Sequence, residues 1–331
     1  MNNRGLLDLI ISLLPGLKVT EKLILLQEFD NTEQLFVQSK SEIEKLLNRF
    51  IDQFWDITEI SEKAGRIDTI CKMRSIKWVS WTDEEYPPLL RETYDPPPVI
   101  FYRGTLPNPE KPLLGMVGTR KPSIEAAEQT YKIAGNLSRL GVSVISGLAL
   151  GIDSMAHRGN LVGSAPAYAV LGNGIDEIYP SSNRSLAKRI LDSGGAIISE
   201  YPPGVAPAKW TFPARNRIIS ALSRSVVIME APLKSGALIT AAFALEQGKD
   251  LWVASAGTEQ RSDNSYSFDK RGTIKLIDDG AEIIHSACDV IEKWNIGWTD
   301  SVICSSSEGK KPQPYSKGLV SSMADFLKIE I

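Results

Sequence analysis

The chain has 331 residues, 43% hydrophobic and 23% charged, a composition typical of one or two globular cores that excludes a largely disordered protein. Its formal net charge of -3 excludes a polycationic nucleic-acid coat but allows one local basic groove. The three cysteines are far apart and odd in number, which fits a reducing cytoplasm and contains no zinc-binding spacing. We therefore expect a cytoplasmic protein with no metal and no other cofactor, in which any anion-binding site is focal.

The first 75 residues carry leucine and isoleucine at helical spacing, as at Leu23 and Leu26. An apolar stretch over residues 6–17 contains Asp8 and is short for a membrane span, so we predict a core helix there and no membrane span. The pattern predicts a small helical domain over residues 1–75.

Residues 76–110 differ from this pattern, because prolines and aromatic residues replace the helical spacing. The runs Tyr86-Pro87-Pro88 and Pro96-Pro97-Pro98 exclude regular helix and favour extended backbone. We predict an extended connector that packs on the next domain through its aromatic side chains.

From residue 111 to residue 296, short apolar runs alternate with amphipathic segments, as in a parallel sheet covered by helices on both faces. The runs that predict strands are 113–117, 142–146, 167–171, 196–199, 225–230 and 251–255. The segments that predict helices are 124–140, 152–162, 183–192, 216–222 and 237–247. The predicted fold class is α/β, with a Rossmann-like, doubly wound and mostly parallel sheet preceded by the helical domain.

Glycine and hydroxyl residues follow the predicted strands, at the edge where open α/β sheets bind their ligands. Glycine lets backbone amides approach a phosphate closely, although a glycine also simply permits a tight turn. Neither the GxxxxGKS/T loop nor the GxGxxG spacing is present, which argues against ATP hydrolysis and ordinary dinucleotide binding. The phosphate-binding candidates in these turns are Gly118, Thr119, Arg120, Ser146, Gly147, Gly172, Gly174, Ser235 and Gly236.

A Phe-Pro-Ala-Arg-Asn-Arg segment places Arg215, Asn216 and Arg217 where the pattern predicts the start of a helix. The first turn of a helix carries partial positive charge, so two arginines there indicate a nearby anion, the alternative being a solvated surface pair. Lys209 stands just ahead of the segment. Together with Arg120, the arginine pair offers three guanidinium groups that we expect to converge on one stretch of phosphates.

Four acids and a histidine fall at the same edge of the predicted sheet. Carboxylates there either hold arginines in position, bind a metal or act in acid/base chemistry, and the first role is the commonest. With no second histidine nearby a metal site is not supported, and we expect the histidine to make a structural hydrogen bond. These pocket-shaping candidates are Asp153, His157, Asp176, Glu200 and Glu230.

An ordered series of motifs over roughly residues 78–293 resembles the DNA-processing protein A family, also called DprA or Smf. The series includes Tyr-Pro-Pro-Leu-Leu, Val-Gly-Thr-Arg, Ser-Gly-Leu-Ala, Gly-Asn-Gly-Ile-Asp, Ser-Glu-Tyr-Pro-Pro-Gly and the arginine segment above. Its motifs start at Tyr86, Val117, Ser146, Gly172, Ser199, Phe212 and Ser235. The order of the motifs is far more specific than any one of them.

The resemblance implies a non-enzymatic homodimer that binds single-stranded DNA in a positively charged pocket. It also implies that the protein helps to load the RecA recombinase in natural transformation. Carried over by motif, Arg120 and Lys209 look like DNA contacts, and Arg215 and Arg217 shape or line the pocket.

The chain also departs from the family pattern. Family members often carry basic residues where this chain has Leu150 and Ser181, and Arg184 offers a substitute from the start of a helix. Many members end in a winged-helix domain. Residues 297–331 are too few for one, and their serine, lysine and proline content predicts a polar, flexible tail.

Two other functions stay open. One is a nucleotide-acting N-glycosidase similar to the LOG-type phosphoribohydrolases, with Glu200 or Glu230 as its acid, although their PGGxGTxxE block is absent. The other is a nucleotide-sensing or partner-binding module with no DNA role.

Overall fold

The computed structural model describes residues 3–52, 55–258 and 269–296, so the predicted tail at 297–331 lies outside the described residues. In the part that is described, nine strands form one sheet with helices on both faces. This confirms the predicted α/β fold class with its Rossmann-like, mostly parallel sheet. No helix within the described ranges is long and apolar enough to cross a bilayer.

Five helices form the amino-terminal part of the chain, in agreement with its helical periodicity. They are α1 (Asn3–Leu13), α2 (Val19–Glu28), α3 (Thr32–Phe36), α4 (Lys40–Leu46) and α5 (Ile57–Met73). Asn31 caps α3 and Asp56 caps α5, each accepting hydrogen bonds from backbone amides of the first turn. These caps explain why short polar segments separate the helices.

The five helices share their apolar core with the sheet. Leu7 belongs to one buried cluster with Phe101 and Ile197, which are strand residues. The buried carboxylate of Asp8 accepts a hydrogen bond from the Ser80 hydroxyl, which ties α1 to the first strand. The helical part is therefore docked on the sheet through both apolar and polar contacts.

The region predicted as a connector contributes two strands, β1 (Lys77–Ser80) and β2 (Val99–Gly104), and a short helix α6 (Pro88–Arg91). β1 pairs with β2 in antiparallel register, with Trp78 opposite Phe101. The backbone is extended, as its prolines indicate, but it adds to the sheet where we expected it only to pack on the domain. The proline runs lie between the two strands, where they remove no donor from the ladder.

The remaining strands and helices alternate along the chain. The strands are β3 (Leu113–Val117), β4 (Ser143–Ser146), β5 (Ala167–Leu171), β6 (Ala196–Ser199), β7 (Ser225–Ile228), β8 (Asp250–Ala254) and β9 (Glu282–Ile284). The helices are α7 (Ile124–Arg139), α8 (Ile152–Asn160), α9 (Arg184–Asp192), α10 (Thr211–Leu222), α11 (Gly236–Glu246), α12 (Arg271–Asp278) and α13 (Ala287–Lys293). The strand order is β1-β2-β6-β5-β4-β3-β7-β8-β9, with antiparallel pairing only at β1/β2 and β2/β6 among these strands.

Alternate residues of the central strands face opposite sides of the sheet. On β3, Leu113 and Val117 join a buried cluster with Ile218 of α10, whereas Leu114 joins a second cluster with Ile133 of α7. Both faces of the central strands are therefore buried. This explains why their sequences read as continuous apolar runs.

Helix α10 begins at Thr211, five residues before the predicted start, so the predicted boundary at residue 216 is wrong. Pro213 lies in the first turn, where a missing backbone N–H costs no helical hydrogen bond. Arg215 and Arg217 consequently lie beyond the first turn. Their positions in the helix therefore give no reason to expect an anion beside them.

Candidate nucleic-acid interface

A change in strand order creates a crevice at the carboxyl end of β3. The chain adds β4, β5 and β6 on one side of β3 and then returns to place β7 on its other side. Loops that leave neighbouring strands in opposite directions open a crevice at such a point, where α/β sheets bind ligands. Arg120 stands in the loop directly after β3, and its side chain is exposed.

Three side chains form a row in this crevice, which we call the aromatic row: Arg120, Phe212 and Tyr179. The guanidinium of Arg120 lies 5.7 Å from the centre of the Phe212 ring, and that ring lies 5.6 Å from the ring of Tyr179. The Phe212 ring lies close to the backbone at the end of β5. A Cβ atom added at Gly172 would lie only 2.8 Å from the ring. Glycine at this position therefore allows the ring to lie where it does.

Further basic and aromatic side chains lie next to the aromatic row. Lys209 and Trp210 immediately precede α10, and the Trp210 side chain is 67% exposed. The Tyr201 ring meets the Trp210 ring edge-on at 6.0 Å. Arg184 is exposed at the start of α9, with Glu177 4.0 Å away. Cations beside exposed rings are the arrangement that binds phosphates and unstacked bases.

Arg215 is buried and holds the loops of the crevice together. Its Nη1 donates to the carbonyl oxygens of Gly147, at 2.6 Å, and of Val170, and its Nε donates to Asn216 at 3.0 Å. A Cβ atom at residue 147 would lie 2.3 Å from Nη1, so only glycine leaves room for the guanidinium. Burial lowers the pKa of Arg215 to about 10, which the nearby Asp153 carboxylate opposes.

Arg217 is also buried, with 6% of its surface exposed, and it is paired with acids. It lies 2.5 Å from Glu200 and 3.2 Å from Asp95. Of the three arginines expected to converge on phosphates, Arg120 alone is exposed, because the other two turn into the protein. The structure therefore differs from the expected cluster of three guanidinium groups.

The predicted phosphate-binding residues fall into two groups by exposure. Gly118, Thr119, Arg120, Arg184, Lys209, Ser235 and Gly236 are partly or fully exposed. Ser146, Gly147, Gly172, Gly174, Arg215, Asn216 and Arg217 are buried. The first group is available to a ligand, and its contact role stays a prediction. The second group packs inside the loops, as the Ser146 hydroxyl does by donating to the Met116 carbonyl at 2.6 Å.

Asp153, Asp176 and Glu230 hold backbone amides of the surrounding loops. Asp153 accepts from the Gly147 amide at 3.1 Å, and Asp176 accepts from the Gly204 amide at 2.9 Å. Glu230 accepts from the Ser123 amide at 2.9 Å, while burial raises the pKa of its carboxyl. Of the roles left open for the acids, positioning is the one that these bonds support. No metal-binding cluster occurs among the residues that the structure describes.

His157 differs from its expectation. Its side chain is fully buried, and neither ring nitrogen has a hydrogen-bond partner in the described part of the chain. Burial, together with the Arg215 charge, lowers the pKa of His157 to about 3, so the ring is neutral at physiological pH. The predicted structural hydrogen bond is therefore not observed, and the ring fills space behind the loops.

Two exposed lysines at the crevice were not among the sequence-based candidates. Lys121 follows Arg120 directly, and Lys234 directly precedes Ser235 of the loop after β7. In the sequence, the only indication of their position was that each is adjacent to a predicted phosphate-binding residue. They add two exposed cations to the loops after β3 and β7.

Fold and site together define a Rossmann-like α/β protein with a basic, aromatic surface at its strand-order switch. A family model described as DNA recombination-mediator protein A matches residues 77–295. The chain belongs to this family, which confirms the resemblance found in its motifs.

Two curated relatives show how far the similarity extends. Protein Smf of Borreliella burgdorferi is 34% identical over 297 residues, which is 88% of this chain and 90% of that protein. Protein Smf of Synechocystis is 44% identical over 208 residues, which is 62% of this chain and 50% of that protein. The second match therefore spans only half the length of its relative.

Two solved structures share the fold. The X-ray structure of DNA processing protein A from Streptococcus pneumoniae matches with a TM-score of 0.66 and 30% identity, covering 88% of this chain and 98% of that chain. DNA processing protein A from Helicobacter pylori, whose structure describes a single-stranded DNA binding mode, matches with a TM-score of 0.56 and 28% identity. That match covers 66% of this chain and 95% of that chain.

Proposed function

We propose that the protein is a single-stranded DNA-binding recombination mediator. The strand lies along the aromatic row, with its phosphates on Arg120 and Lys209 and its bases against Phe212 and Tyr179. The observation that carries the proposal is the exposed Arg120 guanidinium 5.7 Å from the Phe212 ring, in the crevice after β3. Family membership and the binding mode described for the Helicobacter pylori relative support it.

Single strands suit this surface better than duplexes. An aromatic ring stacks on a base only when that base is unpaired and accessible, whereas cations attract the phosphates of both forms. Phosphate contacts and stacking carry little sequence information. Binding is therefore weakly sequence-selective and strongly dependent on salt.

A mediator delivers its strand to a recombinase, and we place RecA in that role. The process is natural transformation or other DNA processing, and the protein works in the cytoplasm as a homodimer. The description of the matching family as a recombination mediator supports the recombinase partner.

The protein acts by binding and not by catalysis. Both candidates for the acid of an N-glycosidase are already engaged, Glu200 with Arg217 at 2.5 Å and Glu230 with the Ser123 hydroxyl at 2.5 Å. Burial raises the pKa of both carboxyls. Neither carboxylate belongs to the aromatic row, so the geometry favours the mediator over the glycosidase.

Fluorescence anisotropy with labelled oligonucleotides tests the proposal. We expect affinity for a thymine oligonucleotide to fall at least about tenfold between about 50 and about 200 mM salt, because several phosphate contacts are screened. A duplex of equal length should bind more weakly at every salt concentration. Affinity that is flat across the salt series, or a preference for the duplex, would overturn the proposal.

A further inference from the structure

A cleft of about 340 Å³ lies between the amino-terminal helices and the sheet, and Trp210, just before α10, lines it. This volume lies within the range of small-molecule sites, ~300–1,000 Å³. Both parts of the chain contribute to its walls. Residues that matter for its chemistry are Leu13, Leu17, Lys22, Tyr201, Trp210 and Arg217.

Arg217, which lines the cleft, has a buried donor that the protein leaves unused. Arg217 pairs with Asp95 and Glu200 through Nε and Nη2, but its Nη1 has no hydrogen-bond partner within the described residues. A buried N–H group without a partner costs free energy and calls for an explanation. A ligand that accepts a hydrogen bond in the cleft supplies one.

Lys22 adds a second donor from the helical part of the chain. Its Nζ donates to the Ser12 carbonyl at 2.5 Å, which leaves further N–H groups on the same nitrogen. Burial lowers the pKa of Lys22 to about 8, and the Glu200 charge opposes this effect. Lys22 and Arg217 are balanced by Glu200 and Asp95, so the group as a whole favours a neutral ligand over a phosphate.

The wall of the cleft is continuous with the proposed DNA surface. Trp210 lines the cleft and stands between Lys209 and the first turn of α10, which carries Phe212. Its ring is 67% exposed, and Tyr201 supports it edge-on at 6.0 Å. A strand whose phosphate lies on Lys209 therefore has a base within reach of the Trp210 ring.

We propose that this cleft receives one unpaired nucleobase of the bound strand, which stacks on Trp210 and accepts hydrogen bonds from Lys22 and Arg217. The inference rests on the proposed function and makes the amino-terminal helices part of the DNA site. Stacking of a base on an aromatic ring contributes enough to change affinity by about tenfold.

Two variants of the full chain test the inference, each with a matched control. Lys22→Met removes the donor, and Ala214→Phe fills the cleft from α10, where Ala214 lines it. Lys18→Met and Ala242→Phe make the same chemical changes at exposed positions that do not line the cleft. Anisotropy is measured with a thymine oligonucleotide and with an abasic strand of equal length, after thermal melting confirms that each variant folds.

We expect both cleft variants to lose about tenfold in affinity for the thymine strand and to match wild type on the abasic strand. The controls should match wild type on both strands. Wild-type affinity for the thymine strand in both cleft variants, or equal losses on the two strands, would overturn the cleft as a base site and leave the mediator proposal standing. Failure of the wild type to bind either strand would instead overturn the mediator proposal itself.

Discussion

Arg215 occupies the centre of the loops around the crevice, where its guanidinium donates to the carbonyls of Gly147 and Val170. Its surface is 5% exposed, and the Asp153 carboxylate stabilises its charge. A residue in this position supports a binding surface without touching the ligand. We therefore expect its loss to reduce the stability of the fold more directly than it reduces affinity for DNA.

Replacement of Arg215 tests this structural role. Arg215→Met leaves the buried carbonyls of Gly147 and Val170 without their donor and Asp153 without its nearby positive charge. We therefore expect the free energy of unfolding to fall by about 3–5 kcal/mol. Chemical denaturation measures the change, and Arg189→Met on the exposed side of α9 provides the matched control. A loss of less than about 1 kcal/mol, the range of ordinary surface changes, would show that the buried contacts are not structural.

Phe212 is the residue for which we expect a direct effect on binding. Phe212→Leu keeps an apolar side chain but removes the stacking face, and it should reduce single-stranded DNA affinity by roughly 1–3 kcal/mol. Phe36→Leu changes an exposed phenylalanine on α3 and should leave affinity unchanged. Equal affinities for the two variants would remove Phe212 from the DNA site.

At the level of elements, the parallel strands from β3 to β8 were predictable because both their faces are largely buried. The predicted run 167–171 coincides with β5, and 225–230 differs from β7 by two residues at its end. β1, β2 and β9 were missed, because they lie toward the edges of the sheet and their pairing partners, more than their composition, decide that they form strands.

The sequence also could not predict which side chains of α10 face the solvent, because packing decides this. The arginine segment correctly indicated a helix near the crevice. A start at Thr211 places Phe212 at the surface and turns Arg215 and Arg217 inward, and this depends on packing against neighbouring loops. Residue positions near the site were therefore predictable, whereas their exposure was not.

The start of α7 shows how a cap is coupled to the sheet. The Ser123 hydroxyl accepts from the Ala126 amide and donates to the buried Glu230 carboxylate. Ser123→Ala should cost about 1 kcal/mol for the cap and a further ~1–3 kcal/mol for the lost partner of Glu230. Ser39→Ala, at the exposed start of α4, should cost only the cap in the same denaturation experiment. Equal losses would show that Glu230 does not depend on Ser123.

On the scale of the whole molecule, the amino-terminal helices and the sheet form a cleft whose wall includes the partly buried Lys22. A lysine whose folded pKa is lowered to about 8 destabilises the fold while it is charged in both states. That cost disappears as pH rises from about 8 to the unfolded value of 10.5. The contribution of Lys22 to stability is therefore least favourable below about pH 8.

Lys22→Met removes this cost. We expect the variant to melt at a higher temperature than wild type near neutral pH, with the difference shrinking as pH rises above about 8. Lys18→Met, at an exposed position, should show no such trend. A difference between variant and wild type that stays constant with pH would mean that the Lys22 amine titrates normally in the folded protein.

The central claim is that Arg120 and Lys209 hold the phosphates of a single strand at the crevice. The most direct measurement compares salt-dependent DNA affinity for Arg120→Ala/Lys209→Ala with that for Lys63→Ala/Arg66→Ala, which removes the same charge from exposed positions on α5. We expect the first variant to lose at least about tenfold in affinity and about 0.7 in salt slope per lost contact, while the second matches wild type. Equal affinities and slopes for the two variants would contradict the claim.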